Sequence, residues 1–162
     1  MYSTRVSALV SAPPSAVYRA LVDPASIARW RVPDGMTAAV HEFEAREGGR
    51  FRVSLTYEPT ATDGSRGKTT GRTDIYHGHF VSLVPEQQVV EVTEFETDDP
   101  ALRGEMRMTT TLAPADEGTE VVIVHEGVPD AVPPADNEAG TRMALAKLAR
   151  MLQEGDPPTL AS

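Results

Sequence analysis

Two of the chain's four histidines, His77 and His79, stand one residue apart in the stretch Ile75 to Val81. Residues i and i+2 of a strand project from the same face, so two imidazoles there sit side by side. Such a pair could hold a metal ion or move protons. A metal site needs a third ligand, normally a carboxylate or histidine held in place by its own hydrogen bonds. No such residue stands at a recognised spacing, so neither a metal nor a cofactor is expected. With no cysteine the chain has no thiolate ligand, no cysteine nucleophile and no disulfide.

The other two histidines are the better candidates for chemistry. His41 shares strand parity with Phe43, and His125 shares it with Val121 and Ile123, so both are expected to point inward. An inward histidine is either a hydrogen-bonded core group or a general base. A base needs a second polar group within reach, and Tyr76, Glu94 and Arg107 are the available partners. The catalytic candidates are therefore His41, His125 and Tyr76, with no assignment among them.

Side chains large enough to line an apolar cavity are the aromatics Trp30, Phe43, Phe51, Tyr57, Tyr76, Phe80 and Phe95. Met106, Met108 and Leu148 complete that set; methionine adapts to irregular shapes. The same residues could equally fill a solid core, and alternation alone does not separate the two. Gly48-Gly49 is flanked by strands, which suits a tight hairpin and not a phosphate loop feeding a helix.

These side chains need a scaffold, and the length of 162 residues suits one domain with a real core. Residues 1–155 are expected to form that domain and 156–162 a tail. No apolar run is long enough to span a membrane, and the N-terminus lacks the apolar stretch of a signal peptide. A cytoplasmic location is the expectation. Fifteen basic against 24 acidic residues leave a net charge of −9, which repels phosphate backbones and disfavours nucleic acid as a partner.

The patterning predicts a strand over Arg5 to Ala12, stopped by Pro13-Pro14. Two short helices follow, the first presenting Val17, Tyr18, Leu21 and Val22, the second capped by Asp23 and carrying Ile27 and Trp30 on one side. The period then changes to two. Strands are expected over Met36–Ala45, Arg50–Tyr57, Arg72–Val84, Gln88–Glu96, Arg103–Leu112 and Thr119–Glu126, with a mobile polar loop from Glu58 to Gly71. After the proline-stiffened Val128 to Asp136, a long helix reaches about Glu154 with Thr141, Ala144, Leu145, Leu148, Met151 and Leu152 on its apolar stripe. This order suits an α+β arrangement: a curved antiparallel sheet of six to seven strands around one long helix, two short helices following the first strand. If the sheet curves far enough, helix and sheet cannot fill the space between them and a cavity results.

The segment Ser11 to Trp30 resembles the opening of the SRPBCC (START/Bet v 1-like) superfamily, with Val17, Tyr18, Ala20, Leu21, Asp23, Pro24 and Trp30 filling the pattern. The branch most resembled is the Hsp90 ATPase activator homologue (AHSA1-like) family. Gly48-Gly49-Arg50-Phe51, the strand ending at Gly78 to Pro85, His125 to Pro129 and the helix from Gly140 to Leu152 follow in the family's order. The resemblance runs from Val6 to Leu152 and implies the helix-grip fold, whose members bind lipids, hormones or polyketides in one cavity. It does not reach the additional N-terminal domain of the eukaryotic activators, so the family name implies no activity here.

Three functions follow as expectations. The first is binding of a small, largely apolar ligand without chemistry. The second is a cyclase- or hydratase-type enzyme that uses an inward histidine. The third is a Hsp90 co-chaperone-like interaction module. A homodimer is compatible with each.

Overall fold

The computed structural model begins with a strand, β1 (Tyr2–Val10), followed by two short helices, α1 (Pro14–Leu21) and α2 (Pro24–Trp30). Six strands come next: β2 (Met36–Phe43), β3 (Arg50–Tyr57), β4 (Thr73–Val84), β5 (Gln88–Phe95), β6 (Met106–Ala115) and β7 (Gly118–Val128). Helix α3 (Pro134–Gln153) follows. The structure describes residues 1–57 and 73–153; the polar loop from Glu58 to Gly71 and the tail from Asp156 lie outside the described residues.

The seven strands form one open antiparallel sheet in the order β1-β7-β6-β5-β4-β3-β2. From β2 to β7 each strand pairs with its successor, and β1 joins at the β7 edge. This is the α+β helix-grip arrangement the element order implies. Pairing with β7 also carries β1 three residues further toward the N-terminus than its apolar alternation does, because Tyr2 registers against Val128. Helix α3 starts at Pro134, where a missing backbone N–H costs nothing in the first turn.

The short helices are fixed by local chemistry. The Asp23 carboxylate accepts from the Ser26 N–H at 3.0 Å and from its hydroxyl at 2.7 Å, capping α2. Trp30 at the far end of α2 is 1% exposed, and its indole Nε1 donates to the Ala20 carbonyl at 3.0 Å. A buried indole needs such a partner. The same bond fastens α2 to α1. Helix α3 buries Thr141, Leu145, Leu148 and Met151, with Ala144 and Leu152 half-buried beside them, as the stripe requires. It lies against β1 and the short helices.

Two register shifts redirect side chains. One falls between Val40 and Glu42 in β2, so that Phe43 turns back toward the core while His41 is exposed on the outer face. This corrects the reading of His41 as inward: strand parity holds only where the ladder is regular. Its Nε2 lies 2.8 Å from the Ser54 hydroxyl on β3.

The second shift falls between Phe80 and Ser82 in β4. Tyr76 and Phe80 are buried on the inner face, while His77 is partly exposed and His79 exposed on the outer one. Gly78 itself carries no bulge, and its close neighbours are strands, not α3. A Cβ there would stand 1.9 Å from the Val92 carbonyl oxygen and 2.9 Å from Phe51 Cζ. The missing side chain lets the rings of Phe51 and Phe80 meet at 5.2 Å between centroids, with Phe43 5.5 Å from Phe80. Gly78→Ala is therefore expected to lower stability by about 2 kcal/mol or more, through displaced backbone rather than lost contacts. Urea unfolding checks it; an unchanged midpoint counts against the steric argument.

Candidate functional site

Helix α3 covers only part of the concave face. Between its first turns and the sheet lies a cavity of about 290 Å³. Trp30, Tyr76, Met108, Ile123 and Val128 are its buried walls, and Pro33, Asp136 and Gly140 stand exposed at its mouth. Met106 and Phe95 add apolar surface from β6 and β5. Lys147 of α3 donates to the Val32 carbonyl and lies 3.1 Å from Asp34 Oδ1, which holds the α2–β2 loop beneath the helix.

One wall is polar. Arg31, the residue after Trp30, ends α2 with its backbone N–H on the Ile27 carbonyl at 3.0 Å. Its guanidinium Nη1 lies 3.0 and 3.2 Å from the two carboxylate oxygens of Glu91 on β5. The side chains are only 17% and 3% exposed, so this is a buried ion pair. The guanidinium also stands 5.8 Å from the centroid of the Tyr76 ring. Burial works against the Arg31 charge, but the Glu91 carboxylate outweighs it and raises the pKa.

The same environment keeps the neighbouring groups uncharged. Burial raises the Tyr76 pKa; Arg31 opposes this and Glu91 adds to it. Burial, and then the Arg31 charge, push His125 down to about 4. His125 borders the cavity as a neutral imidazole, and its Nδ1 is buried with no hydrogen-bond partner among the described residues. A buried polar atom without a partner is unusual enough to require an explanation.

Of the side chains expected around a cavity, Trp30, Tyr76, Phe95, Met106 and Met108 border this one. Phe43, Phe51 and Phe80 do not: they stack on one another further along the sheet as core. Leu148 is fully buried in the core, and Tyr57 is half-buried against it. None of these five borders this cavity, and α3 sits over one part of the sheet only. Of the partners expected for an inward histidine, Tyr76 is at the cavity. Glu94 faces outward beside His77, and Arg107 is exposed.

His77 belongs to an outer-face network. Its Nδ1 lies 3.1 Å from Glu96 Oε2, and Glu96 takes two bonds from Arg52 at 2.8 and 3.0 Å. The Arg52 hydrogen bonds lower the Glu96 pKa, and the bond from His77 adds to this. That is cross-strand ion pairing between β3, β4 and the residue that follows β5.

Arg31 and Glu91 escaped the sequence reading. Glu91 could have been found, because it shares parity with Val89, Thr93 and Phe95, a carboxylate on a face that otherwise carries no charge. No periodicity signals Arg31, whose direction is set by the turn that ends α2.

Two outcomes follow. Glu91→Gln leaves a buried guanidinium without its counter-charge and is expected to cost about 3–5 kcal/mol, whereas the double change Arg31→Met, Glu91→Leu recovers most of that. Urea unfolding of the two variants decides it, and equal losses would contradict a charge origin. For His125, the unfolded chain takes up a proton below the ordinary pKa of 6.5 and the folded chain only below about 4. Its contribution is thus full above pH 6.5 and disappears as pH falls toward 4, a difference of ~3 kcal/mol. His125→Gln should lose correspondingly less stability than the wild type over that window, and parallel pH profiles would refute the assignment.

A family model described as "Activator of Hsp90 ATPase homolog 1-like protein" matches residues 11–153. Among curated proteins none matches the chain. Protein CV1439 from Chromobacterium violaceum is similar in structure, with 34% identity, a TM-score of 0.81 and coverage of 92% of this chain and 95% of that one. The AHSA1-like protein from Aeromonas hydrophila is 19% identical with a TM-score of 0.70, covering 91% of this chain and 90% of its own. DynU16, from the dynemicin biosynthetic locus, is 23% identical with a TM-score of 0.68; the match covers 97% of this chain and 49% of DynU16. The last two likenesses concern the fold alone. Since the family match spans both short helices, the sheet from β2 onward and α3, the chain belongs to the Activator of Hsp90 ATPase homolog 1-like (AHSA1-like) family, within the Bet v 1/START-like superfamily.

Proposed function

We propose that this protein binds a small, largely apolar molecule in the cavity under α3 and does not transform it. The observation that carries the reading is the cavity itself: about 290 Å³ of unfilled space walled by Trp30, Met106, Met108, Ile123 and Val128. An interior that served only stability would close such a gap, since each missing contact is lost packing energy. For scale, an apolar cavity of about 150 Å³ holds one benzene, so this one suits a ligand of roughly two fused rings.

A catalytic reading requires a base near neutral pKa. His125 is pushed down to about 4 and is a weak proton acceptor at pH 7. Tyr76, its pKa raised, stays a phenol. Both are suited to giving or accepting a hydrogen bond from a bound molecule. Among the described residues no helix is long and apolar enough to cross a membrane. The Hsp90-directed reading has no residue of its own at this site.

Gently purified protein should carry an apolar molecule detectable by native mass spectrometry, or take up an apolar fluorescent dye. Gly140 stands at the mouth with nothing within 4 Å of a Cβ built on it. Gly140→Trp should therefore obstruct entry and weaken dye uptake at least about tenfold while leaving the melting temperature within a few degrees. Undiminished uptake in the variant would place the ligand elsewhere.

A further inference from the structure

The polar wall has a charge balance that restricts what the cavity accepts. We infer that the bound molecule is uncharged and carries a hydroxyl or carbonyl group at its buried end, met by His125, and that the corresponding carboxylate is excluded. The inference rests on the cavity being a binding site, and deepens that reading by naming the ligand class.

Three observations carry it. Among the described residues Arg31 is the one cationic side chain bordering the cavity, and both oxygens of Glu91 already face it at 3.0 and 3.2 Å. A ligand carboxylate approaching Arg31 would add a second buried negative charge beside Glu91, with one guanidinium to serve both. Like charges at such range in a water-poor site oppose each other strongly. The mouth adds to the exclusion, since Asp136 stands on its rim in a chain of net charge −9.

The remaining polar groups ask for a neutral partner. His125 Nδ1 is buried without a hydrogen bond among the described residues. A ligand hydroxyl or carbonyl reaching it would satisfy that atom, and the neutral imidazole accepts or donates according to its tautomer. The Tyr76 phenol, buried on β4 beyond β6 and β5, is a second donor and acceptor on the cavity wall. Thr93 on β5 also borders this wall. A purely apolar ligand would leave His125 Nδ1 unpaired, which lowers its affinity relative to one that pairs it.

Three probes of equal ring size separate the alternatives: naphthalene, 2-naphthol and 2-naphthoate, the last ionised and the first two neutral at pH 7. Titration calorimetry on the full chain should rank 2-naphthol about tenfold tighter than naphthalene, and 2-naphthoate weakest of the three. His125→Leu should abolish the preference for 2-naphthol over naphthalene. Binding of all three with equal affinity, or tightest binding of 2-naphthoate, overturns the inference while the cavity reading stands. Binding of none overturns both. If His125→Leu fails to fold, as circular dichroism would reveal, the ranking by the wild-type protein alone decides the outcome.

Discussion

The ion pair between Arg31 and Glu91 is the interaction on which the cavity end of this molecule depends. It joins the last turn of α2 to the middle of the sheet, under the helix that covers the concave face. Two charges removed from water are tolerated only because each is the other's partner at hydrogen-bond distance. Each constraint around it has the same origin. Trp30 precedes Arg31 and is locked to Ala20, so the direction of the guanidinium is set by an indole anchored one residue earlier. Lys147 then holds the following loop from above through Val32 and Asp34.

The pair also sets the electrostatics of its neighbours. The Arg31 charge helps burial to keep His125 neutral, and Glu91 helps burial to keep Tyr76 protonated. A fold that used this histidine as a base would need a carboxylate aimed at the imidazole. Here the carboxylate is aimed at the arginine instead. The polar wall is therefore a balanced set of hydrogen-bonding groups on an apolar chamber.

The outer face of the same sheet shows how little two adjacent histidines say alone. His77 and His79 do share a face, as strand geometry demands, but that face carries an Arg52–Glu96–His77 network across three strands. On the inner side of the same stretch, Gly78 lets the aromatic rings of β3 and β4 close up, and Tyr76 reaches the cavity. Membership of the AHSA1-like family accounts for this architecture and is silent on the ligand, because a shared scaffold does not specify the chemistry of its site.

What the amino-acid sequence determined by itself was the succession of elements and most of their faces. Period-two alternation marked β2 to β7, the Asp23-Pro24 signal marked α2, and the stripe from Thr141 to Met151 marked the buried side of α3. Those properties are local: they arise from neighbours within a few residues and survive any arrangement of the rest. The tertiary structure decided what locality cannot reach. A single register shift beside His41 turned Phe43 back toward the core and so broke the parity that linked the two residues, because parity counts residues and a bulge adds one. The placement of α3 over one part of the open sheet decided which aromatics became core and which became wall. Arg31 and Glu91, sixty residues apart, acquired their meaning only when packing brought them together.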